Sequence, residues 1–382
     1  MLTAWTTVFD EDEFPIVSSG QGVSFRKLPV LTSTRLNFSN PESLREALRD
    51  DLVIISLSGH DPIVTIRGLI EMAGEKQWRQ RKAKLVLRTQ DSHHQLDREM
   101  AIIDEIDTLA IAHSNYLHYF PTGKALYVPC SLHQTRSLAT EWLKLTSPSK
   151  NLDVIFPFQL YRGEPRNALA YLVHKKLKEM GISAQFGFFR YYRNRESPPA
   201  LWEELARARI ILNLPLRNDF NIRNFEASLF PAWHVTTRLP DHDLVRMDWS
   251  NSHFVEANAM HITSTIERLL RSREDNTPRE WPSETVLEHH TASDRIYQIT
   301  DTLLGTNLQD QPKFFGGTTA INKKTAVIVV YDTRLLLENS PTLISKVPRN
   351  SLFRPRFALR LSASLAMLRS LPRKLVKKIT KT

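Results

Sequence analysis

Arg223 and Glu226 lie three residues apart in the segment Ile210–Asp243, IILNLPLRNDFNIRNFEASLFPAWHVTTRLPDHD, where an apolar strand runs into an Asn, Asp and Arg loop and then a helix. That spacing sets both side chains on one face of a first helical turn, where free backbone N–H groups and the dipole favour phosphate. A glutamate there can accept two ribose hydroxyls, and an arginine can meet a phosphate. The same pair can equally form a helix-surface ion pair worth roughly a few tenths of a kcal/mol. Arg162 and Arg166 flank Gly163 ahead of another helix. Their fork-shaped guanidinium groups suit a diphosphate, although a solvated loop would use the same residues. Tyr191 and Tyr192 follow a strand and could stack on a base, packing being the commoner use of aromatics there.

A base that takes a proton from a hydroxyl near neutral pH is best supplied by His or Asp. Two loops after strand ends hold such residues: Ser58-Gly59-His60-Asp61 and Asp91-Ser92-His93-His94. His60, Asp61, Asp91, His93 and His94 are therefore the catalytic candidates, with helix capping the competing role of Asp61 and Asp91. Asp241-His242-Asp243 has the look of a divalent-metal motif. Following Pro240 toward a helix, it is better explained as an N-cap, and no metal site is expected. The single cysteine, Cys130, is expected to be a small packed residue.

The elements that would position these residues alternate short apolar runs with amphipathic stretches, the pattern of strands and crossover helices in a parallel sheet. The fold class is α/β. Strands are expected at Leu52–Leu57, Ala83–Arg88, Thr108–Ala112 and Ala125–Pro129, with helices at Pro62–Gly74 and Leu96–Ile106. After a Ser/Pro/Lys/Asn stretch at Thr146–Asn151, a second set follows: Val154–Phe158, the helix Asn167–Met180, ISAQFGFF, the helix Pro199–Ala208, Ile210–Leu214 and WHVTT. Glu284–Leu304 reads as one long helix. The expected organisation is a first domain at 1–148, a second at 149–305, an appendage at 306–341 that includes the strand-like Lys324–Tyr331, and a basic tail at 342–382. Two doubly wound halves would face each other across the carboxyl ends of their strands.

The 382 residues are 41% hydrophobic and 24% charged, an ordinary globular balance that suits about two domains. One cysteine excludes a disulfide framework and thiolate metal sites, and suits a reducing compartment. The first residues, MLTAWTTVFDEDEF, lack a basic start followed by an apolar run, and no membrane-spanning run is seen, so a cytoplasmic location is expected. The net charge of +10 is misleading as a nucleic-acid signal, because Thr342–Thr382 carries eleven basic residues and no acid, leaving the body at −1. In that tail Phe353, Phe357, Leu361, Leu365 and Leu368 form one apolar face among arginines. Such a helix could lie on an anionic membrane, placing the protein peripherally on the inner face, or pack on the chain's own domains. Nucleic acid is the least favoured partner. Gly20-Gln21-Gly22 lacks the third glycine of a dinucleotide fingerprint, Gly123-Lys124 lacks the first glycine and the hydroxyl of a P-loop, and no Gly-x-Ser-x-Gly elbow occurs.

Taken together, Ile211-Leu212-Asn213, Asn218-Asp219-Phe220-Asn221, Arg223-Asn224-Phe225-Glu226-Ala227 and Val235-Thr236-Thr237 resemble the donor domain of GT-B glycosyltransferases, in particular the spore-maturation-protein-like branch. RTQDSHH, IDTLAIAHSNYLHYF, VPCS and the Glu288-His289-His290-Thr291 stretch with Arg295 match in order, so the resemblance covers about residues 50–305. It implies a GT-B fold and transfer of a sugar from a nucleotide-sugar donor, itself a substrate and not a cofactor, to a glycan, lipid or protein acceptor, as in cell-surface polysaccharide assembly. It also implies that Glu226 binds the donor ribose, that Arg223 and Asn221 lie near the diphosphate, and that Asp219 faces the sugar. Three positions depart from the family pattern: Asn218 stands for a glutamate, Pro231 for a glycine, and Phe156-Pro157-Phe158 for Phe-x-Gly. A glycine lost where backbone approaches phosphate is a physical objection. A catalytically degenerate scaffold that binds a glycan or partner, or a membrane or nucleic-acid binder working through the tail, is the alternative.

Overall fold

A computed structural model describes residues 2–6, 23–28, 41–57, 61–90, 92–146, 149–158, 160, 164–187, 198, 200–216, 219–245, 247–272 and 283–306. The expected features at 307–382, including Lys324–Tyr331 and the basic tail, lie outside them.

The first sheet contains β1 (Leu2–Thr6), β2 (Val23–Lys27), β3 (Leu52–Leu57), β4 (Lys84–Thr89), β5 (Thr108–Ile111) and β6 (Ala125–Tyr127). They are ordered β2-β1-β3-β4-β5-β6, every pair parallel. The second contains β7 (Leu152–Phe156), β8 (Ala184–Phe186), β9 (Ala208–Asn213), β10 (Trp233–Thr236) and β11 (Ser252–Phe254), ordered β11-β10-β9-β7-β8 and again parallel. The α/β architecture is as expected. β1, β2 and β11 are additions: LTAWT, VSFRK and SHF are too short and too mixed in polarity to stand out from sequence.

Helices cover both faces of the first sheet, so its strands alternate between two apolar layers. Val53, Ile55, Leu85 and Leu87 point into a layer with Leu44, Leu69 and Trp78. Leu52, Ile54 and Val86 point the other way, onto Ile296 and Ile299. Those two residues belong to the helix Ala292–Leu304, so the chain's late helix closes its first sheet. The strand set changes between Tyr127 and Leu152. Both sheets belong to one compact unit, residues 1–159 and 169–331, and of a second unit only positions within 160–168 are described.

The expected long helix over Glu284–Leu304 is corrected to two, Ser283–His289 and Ala292–Leu304. Thr291 caps the second: Asp294 accepts from the Thr291 backbone N–H at 2.8 Å while the Thr291 side chain accepts from the Asp294 N–H. A reciprocal cap of this kind starts a new helix. Among the described residues no helix is long and apolar enough to cross a membrane.

Candidate functional site

In the second sheet the order of strand addition switches sides between β7 and β9, the position where open α/β sheets place ligands beyond their strand ends. β9 leads through Asn213 into the loop that carries Asp219 and Asn221 and into the helix Arg223–Ala227. Three asparagines shape that loop. Asn213 donates to Asn221 Oδ1 at 3.2 Å and to Asn224 Oδ1 at 3.1 Å. Asn221 Oδ1 also accepts from the Arg223 backbone N–H at 3.0 Å, a local turn-making use of the side chain expected near the diphosphate.

The helix has only five residues, a single turn, so its dipole is smaller than the sequence reading assumed. Arg223 and Glu226 meet as the i,i+3 pair expected of the spacing, yet the pair is not on the surface: Glu226 is 4% exposed. Its other oxygen accepts from the buried Trp202 indole at 3.2 Å. Glu226 is thus held at two points by the fold, with lone pairs left on both oxygens.

Asp219, expected to face the sugar, is 2% exposed and lies 3.8 Å from His113 Nε2. His113 sits two residues beyond β5 of the other sheet, and the same ring nitrogen is 2.8 Å from the Gln90 carbonyl. This histidine was missed. It was present inside IDTLAIAHSNYLHYF, but its only signal was its place just past a strand end, the criterion already applied to His60 and His93.

The first-half candidates fare unevenly. Asp61 caps the helix Pro62–Ala73 through Ile63 N at 3.0 Å and pairs with Arg98 at 2.6 Å, so both its oxygens serve structure. His93 and His94, expected on a loop, belong to the first turn of the helix Ser92–Ala101. That turn is tied down by Glu99, which accepts from Thr89 at 2.6 Å and Ser92 at 3.2 Å. Arg166 lies on the first turn of the helix Pro165–Glu179 and is buried. His60, Asp91, Arg162, Tyr191, Tyr192 and Asn218 lie outside the described residues.

Asp241 is the other correction. The cap position of its short helix is Pro240, and no side chain caps it. Asp241 instead accepts across to the first sheet's side, from Ser114 N at 3.1 Å, Ser114 Oγ at 2.8 Å and Tyr127 Oη at 2.7 Å. Burial, then the Asp241 charge, holds the Tyr127 proton on well above the usual phenol range. Asp243 pairs with Arg238, so the two acids do not share a cation. Among the described residues no group of three or more His, Cys, Asp or Glu could hold a metal. Cys130 is buried and packed, as expected.

Two buried arginines complete the region. Arg295 donates to the Pro129, Cys130 and His289 carbonyls and to Gln298, with His290 Nδ1 2.7 Å from its Nη2. Among the described residues Arg88, near the end of β4, donates to Ser56 Oγ at 3.4 Å and Ser131 Oγ at 3.2 Å. His133, two residues beyond Ser131, is exposed, and desolvation by nearby protein, then the Arg88 and Arg223 charges, lowers its imidazole.

No family model matches this chain, and no curated protein matches it. Solved structures do. A chain of the GtfA/B complex aligns at 15% identity and a TM-score of 0.41, over 71% of this chain and 61% of that one. Sucrose-phosphate synthase from Thermosynechococcus elongatus aligns at 11% identity and 0.46, over 79% and 98%. An alpha-glucosyltransferase in complex with UDP aligns at 13% and 0.47, over 79% and 99%. At these scores the likenesses decide neither family nor activity, and the functional reading rests on the chain's own residues.

Proposed function

We propose that this chain is a GT-B glycosyltransferase that moves a sugar from a nucleotide-sugar donor to an acceptor hydroxyl. The observation that carries the reading is the approach of Asp219, on the loop after β9 of one sheet, to His113, beyond β5 of the other, at 3.8 Å. An acid and a base contributed from beyond strand ends of the two sheets support that reading. In the reaction the acceptor oxygen forms a bond to the anomeric carbon and the bond from that carbon to the diphosphate oxygen breaks. The acceptor proton passes to a base, and the diphosphate leaves with the bonding electrons. Glu226 holds the donor ribose, Arg223 stabilises the leaving charge, and His113 or Asp219 serves the proton, so no metal is required. The acceptor is a glycan, lipid or protein, with cell-surface polysaccharide assembly as its setting and the cytoplasmic side of a membrane as its place.

Two observations favour a second reading, a degenerate scaffold that binds without turnover: Glu226 is already engaged by Arg223 and Trp202, and Pro231 stands where a glycine would admit phosphate. Calorimetric titration with UDP, GDP, ADP, CMP and dTDP tests both, with Glu226→Ala as the control. Micromolar binding of one nucleotide, lost in the variant, supports the donor site, and turnover of its sugar adduct separates enzyme from scaffold. No binding to any nucleotide by folded protein would remove the transferase reading.

A further inference from the structure

His113 stands at the head of a short 3-10 helix, Ser114–Tyr119, with the sequence SNYLHY. From it, aromatic rings touch one another in succession toward the surface. Tyr116 meets His113 edge-on with ring centroids 6.2 Å apart, and Tyr119 lies 6.1 Å from Tyr116. His118 packs on Tyr119 at 4.0 Å, the two planes tilted by 36°. The inner end of this series is buried, whereas Tyr116 is half-buried, His118 is exposed and Tyr119 is 42% exposed even with two rings against it. The cluster therefore opens to solvent at one end and touches the proposed reaction centre at the other.

The turn is held from beneath. Phe120 is buried in the core of the first sheet, and Tyr116 and Leu117 pack against the same core. The Tyr116 N–H donates to the His113 carbonyl and the Phe120 N–H to the Leu117 carbonyl, each at 3.2 Å. The outward rings thus stand on a fixed base, which lowers the ordering cost of binding. Single apolar residues scattered over a surface need no explanation, but His118 and Tyr119 are in contact, and among the described residues Tyr119 is the only exposed Phe, Tyr or Trp.

We propose that Tyr119 and His118, with Tyr116 behind them, form a stacking platform for a pyranose ring of a saccharide; its role as the acceptor subsite rests on the transferase reading, the stacking itself does not. A pyranose has a face of C–H groups and a rim of hydroxyls. The C–H face rests on the negative faces of aromatic rings, while the tyrosine hydroxyl and the imidazole nitrogens meet hydroxyls at the rim. A lipid chain needs covering on all sides to leave water, which rings open to solvent do not provide. Continuity with His113 gives the platform its direction, because a saccharide lying along it extends toward a group that takes the acceptor proton.

The test uses the full chain, with maltotetraose, cellotetraose, chitotetraose and mannotetraose as probes and saturation-transfer NMR from protein aromatic protons as the readout. Saturable transfer to the C–H protons of at least one probe is expected. Y119A should weaken that binding about fivefold or more, the scale of a lost aromatic contact, and Y119F, which keeps the ring, should retain it. Both ring positions are exposed, so the thermal midpoint of each variant should match the wild type. Should Y119A fail to fold, H118A carries the comparison. No transfer to any of the four probes, or wild-type affinity in both Y119A and H118A, overturns the proposal. Nucleotide calorimetry on the same proteins separates it from the transferase reading. Nucleotide binding without saccharide binding removes the platform and leaves that reading standing. Saccharide binding that Y119A weakens, in a protein that binds no nucleotide, leaves the platform as a glycan site and removes the transferase reading.

Discussion

The carboxylate of Asp241 accepts the Tyr127 hydroxyl at 2.7 Å with both groups buried, joining the helical turn after β10 to the last strand of the other sheet. Ser114 supplies two more donors to the same carboxylate.

Removing either partner should therefore loosen one sheet from the other. Hydrogen bonds to a buried charge contribute about 1.5–3 kcal/mol each, so Tyr127→Phe is expected to cost about 2 kcal/mol and Asp241→Asn about 3. A double-mutant cycle by urea unfolding should return a coupling of roughly 1 kcal/mol or more. Additive losses would show that the two groups act separately.

Acid should destabilise the second sheet through two histidines. Burial lowers His234 to about 3 and His242 to about 4, from 6.5. The folded state therefore binds fewer protons than the unfolded chain below pH 6.5. Their stabilising contribution is complete above that pH and is lost as pH falls toward the folded values. Between pH 6 and 4.5 the slope should approach about 1.4 kcal/mol per pH unit for each histidine. Urea midpoints measured across that range check it, and His234→Gln should flatten the curve.

Trp202→Phe keeps an aromatic ring but shrinks the indole and removes the N–H that reaches Glu226 at 3.2 Å. A stability loss of about 2–4 kcal/mol is expected, the lost hydrogen bond adding to the cavity left by the smaller ring. If Glu226 holds a ribose, nucleotide affinity should also weaken several-fold because the carboxylate loses one of its two anchors. Calorimetry on the variant reads the second effect apart from the first.

Thr291→Ala removes one half of the reciprocal cap and should cost about 1 kcal/mol, within the range of such losses. Thr291→Ser should restore most of it. Chemical denaturation of the three proteins makes the comparison.

The parallel architecture was legible because buried parallel strands are short continuous apolar runs, and LVIISL, KLVLRT and TLAI are of that kind. The Arg223–Glu226 pairing was legible because spacing on a helix fixes which side chains are neighbours. What spacing could not tell was depth: Glu226 is buried and accepts from Trp202, 24 residues earlier. His113 and Asp219 are 106 positions apart, Ser114 and Asp241 127, and no local pattern marks such partners. The long helix was misread for a related reason, since Thr291 with Asp294 is a start signal embedded in otherwise continuous helical periodicity.

The helix Ala292–Leu304 covers the layer formed by Ile54, Val86 and Ala110. During synthesis those strands leave the ribosome well before Ile296 and Ile299 exist, so one apolar side of the first sheet stays uncovered while the whole second sheet is being made. The nascent protein consequently carries a sticky intermediate whose lifetime is set by translation, and sequences this far apart close slowly. A premature stop ahead of residue 292 would release a chain with that side still bare, prone to clump with others of its kind or to occupy a chaperone.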